Sequence, residues 1–448
     1  MTVKAVTDPR VIDNIAKNFR EKIEGKTVIE SKPLLCVLSI NSRCNLRCAH
    51  CPSAAKPYAR IGSDPELDMR AFAVVEREVF PYIYGLVFSG TLGEPLIAKH
   101  FNEILRTALK YDFFLELATH GHNLRGERLD LLLEKNATIR LSFEGANPKT
   151  YEANRGVPMA HLFKIMDNVN KLKQQRNSGL EFLFNLTAWY DNIREFPDLI
   201  DLAARYGAPK VAFHHLNPES EKFRYKSLIY HQELTNDMID EAQRRAAMHG
   251  IEILGVEKFP EPGTDGGYAE RYTWPRESRE FLYGIQLKVL TEKLGRQATL
   301  EDLVQQQRKV MCNFPWEMVA IVENGNMRPC CWTSRNFGNV IKSGFEKIWN
   351  GPVYRKLRAR INTANVPRFC RDCNFLVKNL RQQLDCSLAQ IDGERVARMS
   401  FKRFFYIKAH TRVRDFFKNE KIAKSPAGKK VIKVLKNIKH RFFGLDLS

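Results

Sequence analysis

No run of this sequence approaches 18 uncharged apolar residues, so no transmembrane helix is expected. The N-terminal stretch meets Asp8, Arg10 and Asp13 before any apolar segment forms, which reads against a secretory signal. The expected compartment is the cytoplasm. Walker loop, dinucleotide fingerprint and Ser/His/Asp nucleophile pattern are all missing, so the enzyme classes they mark lack support. Internal repeats and low-complexity segments are absent as well. Cysteine is confined: ten in 448 residues, at 36, 44, 48, 51, 312, 330, 331, 370, 373 and 386, with none across the stretch between the two groups. A reducing compartment disfavours disulfides. Thiols clustered at short spacing point instead to metal or iron–sulfur ligation.

Lys and Arg number 71 against 51 Asp and Glu, a formal charge of +20. Most of the excess is local, because residues 395–448 hold 16 basic side chains against Asp415, Glu420 and Asp446. A hydrophobic share of 44% is ordinary for a globular chain able to bury a sizeable core. The length suits two domains and an appendage.

Residues 35–250 alternate short apolar strands with amphipathic helices. The strands expected are Leu35–Ile40, Tyr84–Ser89, Phe113–Thr119, Thr138–Phe143, Phe182–Thr187 and Lys210–His214. The helices include Met69–Phe80, Phe101–Lys110, Met159–Gln175, Phe196–Tyr206 and Asn236–His249. Such a pattern implies a parallel sheet covered by helices, and six units fit a partial α/β barrel. Ligands in these folds sit at the C-terminal strand ends. The divisions expected are a helical extension (1–34), the barrel (35–256), a bridge (257–309), a small α+β Cys-bearing domain (310–390) and a basic helical tail (391–448). A hairpin of Glu317–Val322 and Met327–Cys331 is marked by its Asn-Gly turn.

After the first strand, Arg43-Cys44-Asn45-Leu46-Arg47-Cys48-Ala49-His50-Cys51 sets three thiols at Cys-x3-Cys-x2-Cys. Three thiolates can hold three corners of a [4Fe–4S] cube and leave the fourth iron open. The alternative is a zinc knot with His50 as fourth ligand. The chain resembles the radical S-adenosylmethionine (SAM) enzymes, whose signature is this spacing after the first strand of a partial (β/α)6 barrel. The resemblance implies that Cys44, Cys48 and Cys51 hold a [4Fe–4S] cluster whose open iron chelates SAM. It implies reductive cleavage of SAM to a 5′-deoxyadenosyl radical that abstracts a substrate hydrogen. It also implies an electron donor such as flavodoxin or ferredoxin. His50 stands where the family usually has an aromatic ring near the adenine. Gly93 and Glu94, in Leu92-Gly93-Glu94-Pro95, are similar to the family's Gly-Gly-Glu motif and would meet the SAM amino group. Ser142, Glu144 and Arg155 resemble the contacts to its ribose and carboxylate. Thr119-His120-Gly121 resembles a Thr-Asn-Gly segment.

Cys312, Cys330 and the pair Cys370-x2-Cys373 make a four-thiol set suited to zinc or to an iron–sulfur cluster. Residues 312–373 are similar to the SPASM/twitch domain of radical SAM enzymes. Six cysteines from 312 onward are too few for the seven of a full SPASM domain, so one auxiliary [4Fe–4S] cluster is expected on Cys312, Cys330, Cys370 and Cys373. Cys331 could replace Cys330. Cys386 and Cys36 read as buried thiols.

The tail carries Val431, Val434, Leu435, Ile438 and Phe442 at helical spacing opposite lysines. It reads as a binder of anionic membrane surfaces at the inner face, as an RNA-binding arm, or as a helix docked on its own protein. Such a tail tilts the substrate toward a small molecule, a saccharide, a nucleotide-sugar or a lipid-linked glycan, oxidised or epimerised with the auxiliary cluster's help. Modification of a ribosomal peptide or protein is the alternative, and the residues before the first strand are too few for a leader-binding domain. A non-catalytic zinc protein binding nucleic acid is the rival from another class, and a nucleic-acid partner is not expected. Asn185, His214 and His215 end strands at the expected substrate pocket, and none of them is assigned a catalytic role.

Overall fold

The computed structural model describes residues 6–51, 66–89, 93–216, 223, 226–256, 258–259, 276–308, 312–331, 333–363 and 365–371. Cys373, Cys386 and the basic tail lie outside the described residues.

The barrel is a run of strands and helices: β1 (Leu35–Leu38), α2 (Met69–Glu78), β2 (Gly85–Ser89), α3 (Phe101–Ala108), β3 (Phe114–Thr119), α4 (Glu127–Lys135) and β4 (Thr138–Phe143). It continues with α5 (Pro148–Arg155), α6 (Met159–Gln175), β5 (Glu181–Ala188), α7 (Phe196–Arg205), β6 (Lys210–His215), α8 (Gln232–His249) and β7 (Glu252–Leu254). A helix α1 (Pro9–Ile23) precedes them, with Asp8 accepting the Arg10 N–H at its start. The strands β1 to β7 pair in parallel in chain order. All six strands read from the sequence are present. The seventh was not read, because three residues after Gly250 are too few to show a period.

Alternation in the strands decides which face is covered. On β4, Ile139, Leu141 and Phe143 are fully buried under the helices, whereas Thr138, Arg140 and Ser142 point to the other face. The helix-covered face joins one large apolar core with Leu117, Phe184 and Phe213. Two small apolar groups sit on the concave face: Leu35, Val37, Val87, Met318 and Ala320, and Leu183, Ala212 and Leu254. The period-2 registers set polar Glu116, Arg140, Asn185 and His214 on that same face.

After the barrel come α9 (Arg276–Leu294) and α10 (Leu300–Arg308), which pack against α1 through Phe19, Val289, Leu290 and Leu303. The expected hairpin follows as β8 (Met318–Ile321) and β9 (Asn326–Arg328), with Gly325 at φ +78 in its turn. Strand β8 does not begin a separate sheet. It pairs in parallel with β1, Leu35 opposite Met318 and Leu38 opposite Ile321. A two-residue strand β10 (Gly338–Asn339) and the helices α11 (Phe345–Trp349) and α12 (Pro352–Ile361) complete the described part. No described helix is long and apolar enough to cross a membrane.

Candidate active site

The three-thiol loop leaves the C-terminal end of β1 and is tied down on several sides. Asn41 is fully buried; its Nδ2 donates to the carbonyls of Arg43 and Glu94, and its Oδ1 accepts the Arg43 N–H at 2.9 Å. The Glu94 N–H donates to the Arg43 carbonyl at 2.7 Å, and Ala49 N–H to the Asn154 carbonyl at 2.9 Å. Gly93 belongs to this contact: a Cβ there would lie 2.1 Å from the Asn41 carbonyl oxygen. Glycine is therefore required for the β2 loop to close on the cluster loop. Across the barrel mouth, Asn45 Oδ1 meets His120 Nε2 at 2.9 Å.

Glu94 is 2% exposed, and its carboxylate is taken up by donors of the chain: Leu96 N–H, Thr119 Oγ1 at 2.6 Å and His120 N–H. Three of about four acceptor positions are thereby filled. Burial raises its pKa, against the hydrogen bonds from Thr119, His120 and Leu96. The resemblance aimed this side chain at an ammonium; in the structure it first fixes the ends of β2 and β3.

Arg155, from the last turn of α5, lies fully inside. Its Nη1 donates to Cys48 Sγ at 3.4 Å, its Nη2 to the Ser142 carbonyl at 2.9 Å and to Glu144 Oε1 at 2.8 Å, and its Nε to Glu144 Oε2. Burial opposes the guanidinium charge, but Glu144, Cys48 and Tyr151 more than offset it and raise the pKa. Ser142 enters through its backbone carbonyl. The fork read from sequence as a carboxylate clamp is closed on Glu144 and reaches a thiol of the three-thiol loop. Burial pushes the Cys48 thiol up to about 11 and raises that of Cys44.

His50 sits against Trp189, ring centroids 5.2 Å apart, with its Nε2 3.7 Å from Glu144. His50 Nδ1 and Trp189 Nε1 are buried without a hydrogen-bond partner among the described residues. Two orphaned polar atoms on neighbouring, mutually tilted rings beside the thiols suit a planar heteroaromatic group with its own donors and acceptors. Among the described residues, no three His, Cys, Asp or Glu side chains surround a point where a single metal ion would sit. The Cys-x3-Cys-x2-Cys spacing suits a cube bound at three corners. These residues fit a [4Fe–4S] cluster with SAM on its open iron.

Sequence reasoning missed a polar chain behind the loop. His122 Nε2 meets Tyr151 Oη at 2.9 Å and its Nδ1 meets His161 Nδ1 at 3.0 Å. Lone histidines 39 residues apart give no sequence signal that they touch. On the concave face, Arg140 is held by Glu116 through Nε at 2.7 Å and Nη2 at 3.1 Å, and by Asn185 Oδ1 at 3.2 Å. His214 reaches the surface of this concavity but is enclosed enough by its walls that desolvation, then Arg140 and His215, push its pKa down to about 4. It is a neutral imidazole beside a fixed cation.

Of the second thiol group, Cys312 donates its N–H to Asn362 Oδ1 at 3.1 Å, at the end of α12. Cys330 packs with the concave-face apolar group, whereas the adjacent Cys331 is exposed. Cys370 lies half-buried on the large core, its N–H bonded to the Pro367 carbonyl.

The family model of the Radical SAM superfamily matches residues 38–203, and that of the SPASM iron–sulfur cluster-binding domain matches residues 312–374. The chain is 23% identical over 321 residues to an AdoMet-dependent heme synthase of Oleidesulfovibrio alaskensis, covering 70% of this chain and 74% of the relative. It is 22% identical over 357 residues to the antilisterial bacteriocin subtilosin biosynthesis protein AlbA of Bacillus subtilis, covering 76% of this chain and 64% of the relative. It is 28% identical over 187 residues to a PqqA peptide cyclase of Methylobacterium nodulans, covering 41% and 46%. The fold is similar to that of Streptococcus suis SuiB bound to the precursor peptide SuiA, with a TM-score of 0.53, 15% identity, and coverage of 80% of this chain and 73% of that one. The domains imply SAM, a [4Fe–4S] cluster and further iron–sulfur ligation in the second domain. The chain belongs to the radical SAM enzymes and carries a SPASM domain behind its barrel.

Proposed function

We propose that this enzyme oxidises a ribosomally made peptide or a protein segment bound on the concave face of its barrel. Cys44, Cys48 and Cys51 would hold the SAM-binding cluster, with His50 and Trp189 offering rings and orphaned nitrogens to the adenine. Gly93, Glu94, Ser142, Glu144 and Arg155 shape the wall around it. Cys312, Cys330, Cys370 and Cys373 would hold an auxiliary cluster. When bound, the first cluster and SAM supply a 5′-deoxyadenosyl radical that abstracts hydrogen, and the auxiliary cluster supplies an acceptor for the electron left behind. The chain's own residues position the substrate. Arg140, immobilised by Glu116 and Asn185, presents a cation of fixed direction, and neutral His214 can accept a proton from the oxidised substrate.

The observation that carries the radical SAM reading is the three-thiol loop backed by Arg155 and flanked by the orphaned nitrogens of His50 and Trp189. The peptide reading is supported by the similarity to the subtilosin biosynthesis protein AlbA, to the PqqA peptide cyclase and, in fold, to SuiB bound to its precursor peptide. A saccharide or lipid-linked substrate drew its support from the basic tail, which lies outside the described residues. None of the relatives named above is named for a sugar.

The test incubates the anaerobic, reduced holoenzyme with SAM and with short peptides encoded beside its gene, following 5′-deoxyadenosine and peptide mass. A peptide lighter by two hydrogens, formed with stoichiometric 5′-deoxyadenosine, supports the proposal. Turnover of nucleotide-sugars with every peptide unchanged overturns the substrate assignment and returns the saccharide reading.

A further inference from the structure

Helix α12 carries a buried hydroxyl without a hydrogen-bond partner among the described residues, the Oη of the fully buried Tyr354. The ring is held firmly in place: Phe337 packs edge-on at 5.0 Å, Trp349 lies tilted at 4.9 Å and the Arg358 guanidinium stands 5.2 Å from the centroid. Those neighbours are themselves fixed. Trp349 Nε1 donates to the Ser31 carbonyl at 2.8 Å, and Arg358 donates to the carbonyls of Pro315, Thr27 and Trp349. A buried hydroxyl normally finds a partner, so one without a partner among the described residues suits a bound group that accepts a hydrogen bond. Phenylalanine would otherwise fill this place at lower cost.

Three SPASM-domain cysteines connect to this helix or to the rings packed on it. Burial holds the Tyr354 hydroxyl protonated and therefore a donor; the Arg358 guanidinium opposes this and Cys330 adds to it. Cys312 is bonded to Asn362 at the end of α12. Cys370 follows Phe369, whose ring packs edge-on at 5.9 Å on Phe337, the ring that packs on Tyr354. One immobilised O–H donor thus stands in the part of the domain that also carries Cys312, Cys330 and Cys370.

We propose that Tyr354 donates a hydrogen bond to a sulfur of the auxiliary iron–sulfur cluster and thereby raises that cluster's reduction potential. Donors to cluster sulfurs stabilise the reduced, more negative state, and such outer contacts are a principal lever on potential. Tyr354 is a positioning and tuning residue, and it touches no substrate. The inference rests on the ligand assignment above, in which Cys312, Cys330 and Cys370 belong to one cluster.

The experiment uses the full chain with Cys44, Cys48 and Cys51 all changed to Ala, so that only the auxiliary site can carry iron. Iron, acid-labile sulfide and the EPR signal of the reduced cluster are measured with and without Tyr354→Phe, during a mediated redox titration. The expected result is unchanged iron and sulfide, with the reduced-to-oxidised ratio at a fixed potential lowered about tenfold, which is 59 mV for a one-electron couple. Tyr354→Leu also lacks the donor and gives the same reading should the Phe variant load poorly. A cluster of unshifted potential in both variants overturns the hydrogen bond and leaves the ligand assignment standing. Zinc, or no metal, in the parent protein overturns the ligand assignment and the hydrogen bond with it.

Discussion

Arg155 joins Glu144 to Cys48: one guanidinium carries a carboxylate on one edge and, at 3.4 Å, a thiol of the cluster loop on another. The carboxylate comes from the loop after β4, the cation from α5 and the thiol from the loop after β1, so the contact ties three segments together. A buried cation beside thiolates also offsets the negative charge that a thiolate-bound cluster brings inside the protein.

Arg155→Gln is expected to leave Glu144, 1% exposed, without its cation. Breaking a buried pair in this way costs about 3–5 kcal/mol, because an uncompensated charge stays inside. Urea unfolding of the metal-free protein measures it, and the double variant Arg155→Met with Glu144→Leu should recover much of the loss. A single variant losing under about 1 kcal/mol would mean that water reaches the pair.

Metal counting separates the two thiol groups. After anaerobic purification the wild type should hold about eight irons, and the Cys44/Cys48/Cys51→Ala variant about four. About four irons in the wild type and none in the variant would leave the SPASM thiols without iron and remove the electron acceptor from the proposed chemistry. Equal iron in both proteins would take the cluster away from the three-thiol loop altogether.

The legible part of this fold was its local part. Strand β4 was read to its residue limits, since Thr138–Phe143 alternates cleanly and Gly145 closes it. The three thiols were legible because their ligand spacing is itself local. The pairing of β8 with β1 was not, because it joins residues some 280 positions apart and a strand's pattern does not name its partner. The same limit hid the Tyr151–His122–His161 chain and the approach of Arg155 to Cys48. Arg155 was singled out by its place after Glu144, but its partner among the thiols required the folded loop. Tyr354 carried no signal at all, since an aromatic at helical spacing reads as core, and its ring is core. Only the missing partner of its hydroxyl sets it apart.

His122 makes the fold sensitive to acid. It is 6% exposed, and burial, then His161 and Arg155, push its pKa down to about 4. An unfolded histidine titrates near 6.5, so between roughly pH 4 and 6.5 the unfolded chain binds a proton that the folded chain refuses. Stability is therefore fully present above pH 6.5 and falls as pH drops toward 4, by about 3 kcal/mol for this group alone and about 2 kcal/mol by pH 5. His122→Gln keeps an amide within reach of Tyr151 Oη but cannot take up a proton. The variant should be somewhat less stable at pH 7, where it packs less well, and should lose less than the wild type between pH 7 and pH 5. Unfolding midpoints in urea at the two pH values provide the comparison. Parallel losses in both proteins would show that the imidazole ionises in the folded chain as it does in water, with the chain through His161 and Tyr151 open to solvent.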